Sequence, residues 1–168
     1  QTFNDFEVII VEDGSQKPCK DVCDKYADKL NLKYFMKENS GPGQSRNYGA
    51  ERSEGEYLLI LDSDVVLPEN YLYAIEEELN SEQADAFGGP DRAHDSFTDT
   101  QKAISYSMPS FFTTGGIRGG KKKMDKFYPR SFNMGIRREV YNKLGGFSKM
   151  RFGEDIDFSI RIFKAGIS

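Results

Sequence analysis

Tyr57-Leu58-Leu59-Ile60-Leu61-Asp62-Ser63-Asp64 is the stretch on which the fold assignment turns. Five apolar or aromatic residues follow one another without polar alternation, and the run stops at two carboxylates one residue apart. A run this short and this apolar reads as a strand buried on both faces, the pattern of a parallel sheet, although periodicity alone also allows a buried helix segment. Ser53-Glu54-Gly55-Glu56 just before it supplies a turn and favours the strand. In open α/β sheets the carboxyl ends of strands face the ligand crevice, so Asp62 and Asp64 are predicted to stand at its mouth. Two hard oxygen donors suit Mg²⁺ or Mn²⁺, which keeps several waters and is completed by substrate phosphates. The same residues also fit an acidic turn that caps the helix opened by Pro68.

Upstream, Phe6 to Val11 is a second predicted strand, rich in β-branched residues, and it too ends in acid at Glu12-Asp13-Gly14-Ser15. The spacing of Cys19, Cys23, Tyr26 and Leu30 predicts a helical apolar face across Lys17 to Leu30. The two cysteines read as small core side chains, because there is no second pair and His94 is the single histidine. Leu32 to Met36 is a third strand, and the loop Glu38-Asn39-Ser40-Gly41-Pro42-Gly43 leads into a helix over Gln44 to Ala50. Free N–H groups and the positive end of the helix dipole suit an anion there, with Arg46 in the first turns.

Downstream, Tyr71, Leu72, Ile75 and Leu79 share one helical face, and Ala84 to Gly88 is a further strand leading towards Asp91. Up to this point strands and helices alternate, which predicts a doubly wound, mostly parallel sheet. Beyond Asp91 the texture changes to Ser, Thr, Gly, Lys and aromatics, the mark of a binding loop or of disorder, and the glycines around Arg118 suit hinges that close on a substrate. A helix near Thr100–Ser107, a strand over Phe132–Ile136 and a helix over Arg138–Leu144 stopped by Gly145-Gly146 follow. The last helix carries Phe158, Ile162 and Ala165 behind the acidic run Gly153-Glu154-Asp155-Ile156-Asp157, where acids are ordinary dipole partners.

The chain has 168 residues, enough for one domain, and 27 acidic against 23 basic side chains give a net charge of −4. That balance is no footprint for nucleic acid. Lys121-Lys122-Lys123 is a local basic run, expected to be solvated. No apolar stretch approaches the roughly 20 residues of a membrane-spanning helix, which predicts a soluble segment, and reduced thiols fit the cytosol.

Five motifs in sequence order carry a resemblance: Glu12-Asp13-Gly14-Ser15, Gly41-x-Gly43-x-x-Arg46-Asn47, Asp62-x-Asp64, Phe132-Asn133-Met134 with Arg137-Arg138, and Gly153-Glu154-Asp155-x-Asp157. Together they resemble a family 2 glycosyltransferase of the GT-A fold, a Rossmann-like α/β/α three-layer architecture. The resemblance implies one catalytic domain over residues 1–168, with a nucleotide-binding half (1–66) and an acceptor-binding half (67–168). It implies inverting transfer of a sugar from a UDP- or GDP-linked donor to a carbohydrate or glycolipid hydroxyl. Glu12, Asp13, Arg46, Asp62 and Ser63 are then expected on the nucleotide, and Asp62 and Asp64 on Mg²⁺ or Mn²⁺. Asp155 is expected as the catalytic base beside Glu154, and Asp91, Arg118, Asn133 and Met134 towards the acceptor. The expected location is cytoplasmic, with at most peripheral contact to the inner membrane face. Family members also place a first strand between Phe6–Val11 and Tyr57–Leu61 which this chain lacks, so it is expected to be an excerpt of a longer protein.

Two other readings fit parts of the pattern. An apolar strand followed by Asp62-x-Asp64 also resembles haloacid-dehalogenase-type phosphatases, with Asp62 as a phosphorylated nucleophile, but leaves Asp13 and Arg46 without roles. A catalytically silent nucleotide- or carbohydrate-binding module on the same fold is the third.

Overall fold

A computed structural model describes residues 1–89, 93–107 and 130–167. Its elements in chain order are β1 (Val8–Asp13), α1 (Lys20–Asp24), β2 (Leu32–Lys37), α2 (Pro42–Ala50), β3 (Tyr57–Leu61), α3 (Tyr71–Ser81), β4 (Ala86–Gly88), α4 (Asp99–Ser107), β5 (Asn133–Arg137), α5 (Arg138–Leu144) and α6 (Glu154–Lys164). The predicted α/β alternation is observed from β1 through β4.

β1 and β2 pair in parallel, from Val8 opposite Leu32 to Asp13 opposite Lys37. β5 lies between β3 and β4 and is antiparallel to both, with Tyr57 opposite Arg137 and Leu61 opposite Asn133. β3 and β4 therefore run in the same direction. The long segment from Gly89 to Phe132 joins β4 to β5, so the single-helix crossover that enforces parallel pairing elsewhere has no hold on β5. This reversal places the first residue of β5 beside the last of β3, at the end where Asp62 begins.

The core lies between β3, β5 and the helices α5 and α6. Leu58, Met134, Ile136, Tyr141, Phe147, Phe158 and Ile162 form one buried cluster, as the helical spacing of Phe158 and Ile162 predicts. The Phe158 ring sits 4.8 Å from that of Phe147 and 5.2 Å from that of Tyr141. Gly135 is a tight point: a Cβ there would come within 2.0 Å of the Phe87 ring across the β4–β5 pair. Gly135→Ala is expected to cost about 1–3 kcal/mol, the usual overpacking range, read as a lower urea midpoint at unchanged slope.

Two local expectations are corrected. The cysteine helix is shorter than its apolar spacing suggests, ending at Asp24, and the chain continues through turns in which Tyr26 is 48% exposed. Only Cys23 of that face is buried. α2 starts earlier than expected, at Pro42, because the fixed φ of proline suits the first helical position and Gly41 takes φ 90° just before it. Gly43 is thus inside the helix, where its missing side chain lets α2 close on α6: a Cβ would meet Glu154 Cγ at 3.0 Å and Phe147 Cβ at 3.2 Å.

Candidate active site

Asp13 ends β1, and the parallel register sets Lys37 directly across from it. Lys37 donates to Asp13 Oδ1 and to Ser40 Oγ, the latter at 2.6 Å. The amides of Ser40 and Gly41 donate to the two Asp13 oxygens, each at 2.9 Å. Burial pushes this carboxyl up, but Lys37 and the two amides outweigh it and hold Asp13 below the usual carboxylate range. Asp13 therefore shapes the loop that opens α2. Lys37 escaped sequence reasoning because its partner lies one strand away, and only the register reveals it.

Glu12 accepts the Cys19 amide at 2.9 Å and the Tyr34 hydroxyl at 3.3 Å. The Cys19 amide and thiol lead in lowering its pKa. In return Glu12 leads in pushing the Cys19 thiol up to about 11, with burial and Cys23 adding to it. The Cys19 and Cys23 sulfurs lie 3.9 Å apart as free thiols. A thiol held this far above neutrality is a weak nucleophile, in keeping with a packing role.

Arg46 is the centre of the arrangement. From α2 it donates to Glu154 Oε1 at 2.8 Å and to Asp62 Oδ1 at 3.1 Å, while its guanidinium lies 5.4 Å from the Phe147 ring centroid. One side chain thereby ties the end of β3 to the start of α6. Glu154 is 7% exposed, and Arg46 is the cation paired with it. Its neighbour Asp155 forms an ion pair with Arg130, Nε to Oδ2, at 3.1 Å. Asp157 accepts from Ser148 Oγ at 2.8 Å and Arg161 Nε at 3.0 Å. Ser148 and Arg161 hold its carboxyl below the ordinary value despite burial, and it serves to fasten the preceding loop to α6.

The remaining expected residues divide. Ser63 and Asp64 are exposed just past β3. Asn133 is buried at the start of β5 and accepts the Tyr71 hydroxyl. Met134 is fully buried in the core, so in this arrangement its side chain packs and does not reach an acceptor. Asp91 and Arg118 lie outside the described residues, as do Lys121 to Lys123. His94 is tied to Ser96 Oγ at 2.8 Å in an exposed turn, apart from these carboxylates.

Asn47 had no assigned role beyond its motif, yet it clasps the turn before α6. Its Nδ2 donates to the Phe147 carbonyl at 2.8 Å, and its Oδ1 accepts the Phe147 amide at 2.8 Å and the Tyr141 hydroxyl at 2.6 Å. The signal in sequence was its place beside Arg46. A cleft of about 230 Å³ beside it, lined by Asn47, Glu51, Tyr141 and the α5 C-terminus, contains none of the expected site residues.

Among the described residues no group of three or more His, Cys, Asp or Glu side chains is placed to hold a metal ion. Asp62 is 41% exposed and Asp64 is exposed beside it, so the two carboxylates stand open to solvent and do not make a closed protein cage. No helix among the described residues is long and apolar enough to cross a membrane.

A family model described as Glycosyl transferase family 2 matches residues 1–145. The chain belongs to that family. Membership replaces the phosphatase reading of Asp62. Among curated relatives, this family 2 chain is 32% identical over 91 residues to glycosyltransferase GlyG of Streptococcus pneumoniae, covering 53% of the chain and 30% of the relative. It is 42% identical over 62 residues to the poly(ribitol-phosphate) β-N-acetylglucosaminyltransferase TarS of Staphylococcus aureus, covering 36% and 11%. Residues 1–349 of S. aureus TarS superpose with a TM-score of 0.65 at 21% identity, covering 94% of this chain and 47% of that one. The mannosyltransferase PcManGT of Pyrobaculum calidifontis, in complex with GDP-Man and Mn²⁺, gives 0.65 at 20% identity, covering 94% and 42%. TarS has also been solved with UDP-GlcNAc, at a TM-score of 0.64, 20% identity and coverage of 94% and 46%. At these identities the likeness establishes the GT-A-type fold. The chain spans less than half the length of each of these relatives.

Proposed function

We propose that this chain holds a nucleotide-diphosphate sugar and directs inverting transfer of the sugar to an acceptor hydroxyl. The observation that carries this reading is the Arg46 bridge, which brings Asp62 to Glu154 and hence to its neighbour Asp155. Carboxylates from the two halves of the chain are gathered at one end of β3, as displacement at a single carbon requires. The family membership and the nucleotide-sugar complexes of TarS and PcManGT support the donor class.

In this reading residues 1–66 hold the nucleotide and residues 67–168 meet the acceptor. The Asp13–Lys37 pair and the Ser40–Gly41 amides shape the loop against which the base lies. Glu12 and Ser63 border the nucleotide, and Arg46 balances the carboxylates as the diphosphate enters. Asp62 and Asp64 would hold Mg²⁺ or Mn²⁺, whose positive charge steadies the departing diphosphate. Asp155 takes the acceptor proton as the hydroxyl oxygen bonds to the anomeric carbon and the bond to the diphosphate oxygen breaks with its electrons. Asn133 borders the acceptor in this reading, and Asp91 and Arg118 are assigned to the same role. The acceptor is a carbohydrate or glycolipid, and the enzyme works in the cytoplasm, against the inner membrane face at most peripherally.

Nucleoside-diphosphate release by the intact protein tests this with a panel of UDP- and GDP-linked sugars. Turnover is expected with Mn²⁺ or Mg²⁺ and its loss on chelation, restored by adding the ion back. Nucleotide binding with no release under any of these conditions would favour the silent module.

A further inference from the structure

We infer that Arg130 is the positioning residue for Asp155: it grips one carboxylate oxygen and leaves the other aimed at the acceptor hydroxyl. The inference rests on the proposed role of Asp155 as base. The contact runs from Arg130 Nε to Asp155 Oδ2 at 3.1 Å, with the two side chains 28% and 16% exposed, so the pair is partly shielded from water.

The mounting of the arginine matters as much as the contact. The Arg130 carbonyl accepts the Asn133 amide at 3.0 Å, and the two residues form an isolated antiparallel bridge. Asn133 pairs with Leu61 in the sheet, and its side chain is held by the Tyr71 hydroxyl. The backbone that carries the guanidinium is therefore anchored to the start of β5. Asp155 is fixed from the other side, since Arg46 holds Glu154 immediately before it. Two arginines from separate elements thus restrain consecutive carboxylates at the start of α6.

A base works only when a lone pair points at the proton it removes, and small misplacements of a reacting group are costly. The ion pair restrains the carboxylate at Oδ2 and, in this inference, leaves Oδ1 for the proton. Arginine suits this task because its guanidinium never gives up its proton and so cannot protonate the base it holds. Lysine would preserve the charge without the planar geometry.

The test is steady-state transfer by the intact protein carrying Arg130→Met, Arg130→Lys, Asp155→Asn or Arg130→Met with Asp155→Asn. Arg130→Met is expected to lower kcat by roughly 10- to 100-fold with the donor KM within about twofold, and Arg130→Lys to recover part of the loss. If the arginine acts through the aspartate, the double variant is no slower than Asp155→Asn alone. A kcat for Arg130→Met within about twofold of wild type, or a double variant that multiplies the two single losses, would overturn the inference. Wild-type transfer by Asp155→Asn would instead remove the base assignment itself. Nucleotide binding serves as the folding control; if Arg130→Met loses it, Arg130→Lys decides by the same split between kcat and KM.

Discussion

Asp155→Asn in the intact protein is expected to lower sugar transfer by roughly 10²- to 10⁴-fold, the share that a positioned general base contributes, while nucleotide-sugar binding stays close to wild type. Asparagine has nearly the shape of aspartate and can still accept from Arg130, but it cannot take up the acceptor proton. The loss should fall on kcat. Binding should survive because Arg46, Asp62, Asp64 and the Asp13 loop are unchanged, and Asp155 itself is paired only to Arg130 among the contacts described. Stability should change little: Arg130 remains 28% exposed and can be solvated once its partner is neutral. Calorimetry of donor binding beside the rate measurement separates the cases. Unaltered transfer would show that the base lies elsewhere, whereas weakened donor binding would place Asp155 on the nucleotide side.

Arg46→Met is expected to destabilise the fold by about 3–5 kcal/mol, because it leaves Glu154 charged and buried without its partner. The Asp62 half of the bridge contributes less, since that side chain is 41% exposed and water replaces the guanidinium there. Glu154→Leu added to Arg46→Met should restore much of the stability, as replacing both members of a buried pair by apolar groups commonly does. Transfer should not return with it. Without Arg46 no side chain among the described contacts bridges Asp62 to Glu154, and Asp62 loses the group that orients it. Urea midpoints together with transfer rates for the single and double variants read the two effects apart. A double variant as active as wild type would mean that the bridge serves the fold alone.

Much of this architecture was legible in the chain. The apolar runs ending in acid marked β1 and β3 as strands, but the expected burial on both faces in a parallel sheet is not what β3 shows: it pairs antiparallel with β5 and only Leu58 in it is buried. The 3.6 spacing of Phe158 and Ile162 marked the buried face of α6. The cysteine face misled, since helical spacing does not say where a helix stops, and Asp24, Lys25, Asp28 and Lys29 all favour solvent. The glycines before Arg46 misled in part: Gly43 is small because α6 packs against it, which no local pattern reveals.

The site divides along the same line. The five motifs and their order named Asp13, Arg46, Asp62, Asp64 and the Glu154–Asp155 pair as candidates, through the family resemblance that they carry. Which charges meet was settled by pairing across space. The parallel register sets Lys37 on Asp13, the reversed direction of β5 carries Arg130 to Asp155, and the close approach of α2 to α6 lets Arg46 span Asp62 and Glu154. Composition and periodicity are local properties of a chain and can name the groups available for the reaction. Coulomb attraction and hydrogen bonding act over a few ångströms, so which of those groups neutralise, orient or free one another depends on contacts between residues as many as 108 positions apart.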